Sequence, residues 1–557
     1  MENMSTFIKK LSIILLGGCI VSNSIIQAQA QNFYPNPPDK TISTIVQQGT
    51  VMTGVGNTDV PLLRATIIVS GSNDNETLKE IRGKLVNTSN FNDIKRIKAY
   101  LAPDTYDLNI QKAILLGNTT VNSTGNFNIK LNNLCHLENG NHYIWITADI
   151  SEAAKEGNTV DLQINSYLRE NGNTIYENNG NPEHFATIFL TESVVFHPGD
   201  NSSRYYRIPA ITTAKDGSIV AVCDRRWNSE IDLPNNIDIV TRRSTDNGKT
   251  WSKPITIAGT LDRGGNYGHG DPAIVTCQNG DIIVLITAKT GFWDGTPDKP
   301  ALIKKIVSHD NGITWDTPVD ITSQIYGSNC LNPVTRQWKS LFISSGAFIQ
   351  TRSGRLIAAM LVRDEGKGKH NYLLYSDDNG ISWKVITEKA IHNGDEAKII
   401  EQNNGNILIS SRNPGNRLMN ILNSNDTRWE TQWENNDIWG ASCNGDMILY
   451  TSTIDGYNKN RLLHSIPWDE DRRNVSVLIS YDEGKTWGHR KTICSKNSAY
   501  SALNILPDGT IGCLIEDQSI AGGYSMRFVR FSLEWLTDNI DAYTPPLSQN
   551  HINKNKK

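Results

Sequence analysis

The chain reads as all-β, a six-bladed β-propeller preceded by a β-sandwich, and three observations carry that reading. An octapeptide recurs four times: STDNGKTW (Ser244 to Trp251), SHDNGITW (Ser308 to Trp315), SDDNGISW (Ser376 to Trp383) and SYDEGKTW (Ser480 to Trp487). The shared pattern Ser-x-Asp-x-Gly-x-Thr/Ser-Trp marks a repeated structural unit. Successive copies begin 64, 68 and 104 residues apart, and Ser424-Asn-Asp-Thr-Arg-Trp429 stands midway through the long gap as a decayed fifth copy lacking the Gly. Units of roughly 50 to 65 residues with about four short strands each are propeller blades. The third observation is a change of text: from Asn32 to Phe185 strand-like segments recur with no octapeptide at all.

The elements follow in order. Residues 1–30 read as a processing segment: Lys9 and Lys10 precede an apolar run from Leu11 to Val21, and Ala28-Gln-Ala30 matches a signal-peptidase site. The expected product is exported, periplasmic or extracellular. Leu16-Gly-Gly-Cys19 supports the rival reading, a lipoprotein tethered through Cys19. Residues 31–190 are expected to form an antiparallel sandwich, from alternating segments such as Ala65-Thr-Ile-Ile-Val-Ser, Tyr143-Ile-Trp-Ile-Thr-Ala and Val160-Asp-Leu-Gln-Ile separated by Asn/Gly/Asp turns. It is an accessory domain, with carbohydrate binding and simple packing both open as its role. The polar stretch from Glu170 to Glu183 looks like the approach to a boundary. Residues 191–545 hold the propeller, and 546–557 are a polar tail. Within each octapeptide, Asp can accept backbone N–H bonds, Gly permits positive φ, and Trp re-enters the apolar layer, so each is expected to be a hairpin turn on the outer rim without a part in catalysis.

Composition narrows the function classes. A formal charge of −4 and a pI near 6.3 give no basic footprint for nucleic acid. Beyond the leader no stretch approaches the twenty apolar residues of a membrane span. Seven cysteines remain after Cys19, at 135, 223, 277, 330, 443, 494 and 513, an odd and scattered set that reads as buried free thiols. Eleven histidines form no metal-binding spacing, and no nucleotide fingerprint occurs, so neither a cofactor nor a metal is expected.

The polar residues outside the octapeptides carry the chemistry. Tyr205-Tyr-Arg-Ile-Pro209 opens the repeat region. Arg226 follows in Cys223-Asp-Arg-Arg-Trp227, and Asp232 in Glu230-Ile-Asp-Leu-Pro234. Together with the octapeptides, these strings make the chain resemble the bacterial exo-sialidases (neuraminidases), which combine a Tyr/Phe-Arg-Ile-Pro motif, repeated Asp boxes and a six-bladed propeller. The resemblance covers about 345 residues and implies a role for each matching position. Arg207, Arg412 (in Ile409-Ser-Ser-Arg-Asn413) and Arg472 (in Asp471-Arg-Arg-Asn-Val-Ser476) match a carboxylate-binding triad, with Arg473 leaving the third register ambiguous. Arg226 matches a further pocket arginine, and Asp271 (in Tyr267-Gly-His-Gly-Asp-Pro272) a pocket carboxylate. Asp232 matches the acid/base, Tyr500 (in Ser498-Ala-Tyr-Ser501) the nucleophile, and Glu396 (in Gly394-Asp-Glu-Ala-Lys398) the glutamate assisting it. Trp293 is a candidate lining residue.

The residue types suit the substrate class that the resemblance implies, terminal sialic acids on glycoproteins, gangliosides and oligosaccharides. Arginines grip a sugar carboxylate through planar, permanently charged contacts that lysine does not reproduce. A neutral tyrosine avoids the repulsion that a carboxylate nucleophile meets at an anionic sugar, and a tyrosine nucleophile is a recognised exception to the two-carboxylate scheme of glycosidases. The expected activity is retaining hydrolysis. An intramolecular trans-sialidase releasing an anhydro sugar would use the same residues. A non-catalytic sialoglycan-binding propeller would be expected to lack one or more of Asp232, Glu396 and Tyr500.

Overall fold

The computed structural model describes residues 41–547 apart from 72–75, 104–107, 260–267, 365–367, 425–427 and 519–521. The leader, Cys19, Tyr267, most of the polar tail and the middle of the decayed octapeptide lie outside the described residues. Two sheets come first, antiparallel except where Ala186–Phe189 runs parallel to Met52–Gly54 in the second. One joins Thr41–Gln48, Val60–Ser70, Gly140–Ile150, Ile94–Ala102 and Ile114–Thr119, and the other contains Glu76–Val86, Asn126–Leu137 and Thr159–Arg169. Their inner faces share one apolar core including Leu63, Ile67, Ile81, Ile129, Ile146 and Leu162. Thr41–Gln48 alternates exposed and covered side chains, the pattern of an edge strand with one wet face. The polar stretch after Glu170 is more ordered than its composition suggests: Thr174–Tyr176 turns back to pair with Thr159–Arg169.

From Thr191 onward, the described strands pair into sheets of four, five, five, four and seven strands, numbered here as six blades because the seven-stranded sheet holds two. Blade one is Tyr205–Thr213, Ile219–Arg226, Ile237–Ser244 and Ile255–Ala258. Blade two opens with His269–Thr276, blade three with Ser340–Ile343, blade four with Ala397–Glu401 and blade five with Asp446–Thr451. Blades five and six form one seven-stranded sheet, because the single strand Gly488–Ile505 pairs first with Arg473–Ser480 and then with Ile511–Asp517. Thr191–Phe196 supplies the last strand of blade six by pairing with Ser525–Phe531, so the ring is closed by hydrogen bonds between its two chain ends. Second strands such as Ile282–Ala288 (IIVLITA) are buried throughout because each lies between two neighbouring blades, and their text is accordingly apolar without alternation.

The octapeptides all connect the third strand of a blade to the fourth. In the first, Asp246 Oδ1 accepts from Thr250 N at 2.9 Å and Oδ2 from the Thr250 hydroxyl at 2.6 Å, while Ser244 Oγ accepts from Gly248 N at 2.9 Å. Asp310, Asp378 and Asp482 repeat the arrangement. The Ser382 hydroxyl and amide hold the Asp378 carboxyl down at about 2. Gly248 needs both its φ of 81° and its missing side chain, since a Cβ there would lie 2.1 Å from Phe528 of the neighbouring blade. Gly484 likewise abuts Leu408 of blade four. The boxes are therefore joints between blades as well as turns, which refines the expectation of a simple rim hairpin.

The sandwich packs on blades five and six. Val51, Met52 and Phe189 share a core with Phe531 and Leu533, and Glu192 joins Arg527 at 2.6 Å while accepting from Asn57. All seven described cysteines are buried free thiols.

Candidate active site

Antiparallel blades dictate where the functional side chains collect. If the third-to-fourth-strand connections lie at one end, then the start of each first strand and the second-to-third-strand loop lie at the other. Arg207, Asp271 and Tyr500 sit near the starts of first strands, and Glu396 just precedes one. Arg226, Asp232, Arg412 and Arg472 follow or end second strands. One face of the ring thus carries every candidate, and the octapeptides are on the opposite face.

Tyr500 is the centre of the arrangement. Its buried hydroxyl donates to Glu396 Oε2 at 2.6 Å. Arg412 Nη1 donates to the same Glu396 oxygen at 2.7 Å and to the tyrosine hydroxyl at 3.1 Å. The Arg207 and Arg472 guanidinium carbons lie 5.5 and 5.4 Å from the Tyr500 ring centroid, so all three triad arginines converge on one side chain. The Arg472/Arg473 doublet is resolved by direction. Neighbours in extended chain point to opposite sides; Arg473 turns outward, 49% exposed, to Asp469 and Asp471, leaving Arg472 at the tyrosine. Burial raises the Tyr500 phenol well above its ordinary range and Glu396 adds to the rise, against the opposing pull of Arg412 and Arg472. The resting side chain is neutral.

Arg207 is held from behind by a carboxylate that sequence reading missed. Glu516 is wholly buried and accepts from Arg207 Nε at 2.7 Å and Nη2 at 3.1 Å, a bidentate pair. The same carboxylate accepts from the Ile208 and Tyr500 amides at 2.7 and 3.1 Å. Glu516 therefore ties the first arginine to the tyrosine's own backbone.

A second cluster forms around Arg226. Asp224, two residues earlier on the same strand and hence on the same face, accepts from Arg226 Nη2 at 2.9 Å. Arg226 Nη1 reaches Asp232 Oδ1 at 2.8 Å, and Asp232 stands on the connecting loop with 79% of its side chain exposed. Asp271 caps the group, its amide donating to Asp224 Oδ1 at 3.1 Å. Asp271 adopts φ of 56°, strained for a residue with a Cβ. Burial drives its carboxyl well above the usual range, helped by Asp224, Asp232 and Glu396. A raised carboxyl stabilises the fold only while protonated, so stability falls as pH rises above the unfolded value of 3.8. Asp271→Asn is expected to raise Tm at pH 7 and to lose that advantage as pH falls towards 4. Thermal melts across this range check the sign.

Trp293 lies 69% exposed on the corresponding loop of blade two, with the Arg363 guanidinium 5.4 Å from its ring.

Comparisons with known proteins bear on the fold and the family. The model of the BNR repeat-like domain matches residues 232–513. The sialidase of Bacteroides fragilis (strain YCH46) is 28% identical over 394 residues, covering 67% of this chain and 68% of that protein. Among solved structures, the Hadza microbial sialidase Hz136 superposes with a TM-score of 0.67 at 22% identity, over 88% of this chain and 99% of its own. The leech intramolecular trans-sialidase shares the fold with a TM-score of 0.55 at 15% identity, over 83% of this chain and 95% of its own. The chain belongs to the BNR repeat-like family and, within it, to the bacterial exo-sialidases.

Proposed function

We propose that this protein is a retaining exo-α-sialidase that removes terminal α-linked sialic acids from glycoproteins, gangliosides and oligosaccharides through a tyrosyl intermediate. The observation that carries the reading is the 2.6 Å hydrogen bond from Tyr500 to Glu396 beneath three converging arginines. Arg207, Arg412 and Arg472 take the sugar carboxylate and fix the anomeric carbon over the phenol oxygen. Because the phenol is neutral at rest, its proton moves to Glu396 Oε2 only as the Tyr500 oxygen bonds to that carbon. The glycosidic C–O bond breaks with its electron pair on the leaving oxygen, and Asp232 protonates that oxygen. Water then attacks the anomeric carbon and gives a proton to Asp232. Tyr500 leaves and recovers its proton from Glu396. Two displacements preserve the anomeric configuration. Arg226 keeps Asp232 beside the pocket, and Asp271, its carboxyl raised by burial and its acidic neighbours, offers a hydrogen bond to a sugar hydroxyl.

Incubation with a fluorinated sialyl fluoride that slows the second displacement is expected to add one sugar to the peptide containing Tyr500, read by mass spectrometry after proteolysis. Adduct on any other residue sinks the nucleophile assignment. Product analysis on natural α2,3-, α2,6- and α2,8-sialosides separates the two enzymatic readings. Free sialic acid supports hydrolysis, and an anhydro sugar as main product replaces it with intramolecular transfer.

A further inference from the structure

The first triad arginine has a second aromatic neighbour that the catalytic scheme does not use. Tyr524 stands on the connection between the second and third strands of blade six, Ile511–Asp517 and Ser525–Phe531. Asp232 occupies the same connection in blade one, so Tyr524 belongs to the face of the ring that carries the site. Gly522 and Gly523 precede it at φ of 120° and 128°, conformations open to glycine and strained for other residues. The Arg207 guanidinium carbon lies 4.8 Å from the Tyr524 ring centroid, nearer than its 5.5 Å to the Tyr500 ring. The half-buried Tyr524 ring packs against the cluster of Ile208, Cys443, Ala499 and Tyr500.

The ring is thus occupied, and the hydroxyl is not. Among the described residues no hydrogen bond ends on the Tyr524 oxygen, which stays in contact with solvent. Burial raises the phenol above its ordinary value and Glu516 adds to the rise, while Arg207 and Arg472 oppose it. The group therefore keeps its proton at neutral pH and is available as a hydrogen-bond donor. Arg472 is open in the same way: among the described residues its guanidinium makes neither an ion pair nor a hydrogen bond, although it faces the Tyr500 ring. A carboxylate offers about four lone-pair sites on two oxygens, enough for guanidinium groups and a phenol together. A sugar entering the pocket displaces the water that now serves the Tyr524 hydroxyl. Leaving that donor unanswered would cost binding free energy, so a ligand oxygen has to replace the water.

We propose that Tyr524 is a substrate-binding residue whose hydroxyl donates a hydrogen bond to the carboxylate of the bound sugar, beside Arg207 and Arg472. The proposal rests on the reading of the triad arginines as the carboxylate grip. Tyr524→Phe removes the oxygen and leaves the ring against Arg207. Calorimetric titration with free sialic acid is expected to show affinity about tenfold weaker than the parent's, the scale of one hydrogen bond to a charged group. kcat/KM on a sialoside falls by the same factor, while kcat changes by less than about threefold, because the carboxylate is present in ground state and transition state alike. Tm stays at the parent's value, since the hydroxyl has no protein partner to lose. Affinity equal to the parent's overturns the proposal, and so does a loss confined to kcat. Arg472→Ala, which strands no carboxylate, separates the two readings. If it binds sialic acid as the parent does, the carboxylate grip itself fails; if it loses binding while Tyr524→Phe keeps it, only the role of Tyr524 fails.

Discussion

Tyr500→Phe is expected to lower kcat on the order of 10⁴-fold or more, the range found when a nucleophile acting as one unit with its base is removed, while sialic acid still binds. The structure explains the split. Phenylalanine keeps the ring against which Arg207 and Arg472 lie, and Arg207 is fixed independently by Glu516. The grip on the carboxylate therefore survives. What disappears is the oxygen that bonds the anomeric carbon, and with it the acceptor for Arg412 Nη1 and the donor to Glu396. Arg412 still has Glu396 at 2.7 Å, so no buried charge is stranded and the fold should tolerate the change. Calorimetric titration with free sialic acid, beside steady-state kinetics, checks both halves. Near-normal turnover would remove Tyr500 from the chemistry, and loss of binding in step with turnover would make it a binding residue instead.

How much was legible in the text depends on the range of the interaction. The octapeptides could be read because their physics is local: Asp246 bonds Thr250 four residues on, and Gly248 supplies its own positive φ. Their second task, abutting the preceding blade at Phe528 or Leu408, involves residues far away in sequence and left no local signal. Glu516 was invisible for the same reason. It follows an apolar run like many strand-end carboxylates, and its partner Arg207 lies 309 residues earlier, brought to it only when the ring closes. Asp224 was within reach, because a carboxylate two residues before an arginine on one strand shares its face. The Arg472/Arg473 ambiguity belonged to another class. Both orders suit the string, and only the direction of the chain at that point sends one guanidinium to Tyr500 and the other to Asp469. The continuous strand Gly488–Ile505 fused two blades that spacing alone would have kept apart.

Asp232→Asn is expected to divide substrates by their leaving groups. On a natural sialoside the departing sugar oxygen is a poor leaving group, and loss of its proton donor should cost about 10² to 10⁴ in kcat/KM. An aryl sialoside departs as a stable phenolate, so its kcat/KM, which reports the first displacement alone, should change little. Its kcat should still fall, because the second displacement needs a base for the attacking water. The signature with the aryl substrate is then a burst of phenol equal to the enzyme present, followed by slow turnover. The geometry supports a group that works in both directions. Asp232 is open to solvent on its loop, yet tied at 2.8 Å to Arg226, whose other side is locked to buried Asp224. The carboxyl is thereby kept beside the pocket while free to exchange protons. Asparagine keeps an oxygen for Arg226 and so preserves the loop, which confines the defect to proton transfer. Equal losses in kcat/KM on the two substrates would show that Asp232 positions the sugar rather than protonating its leaving group.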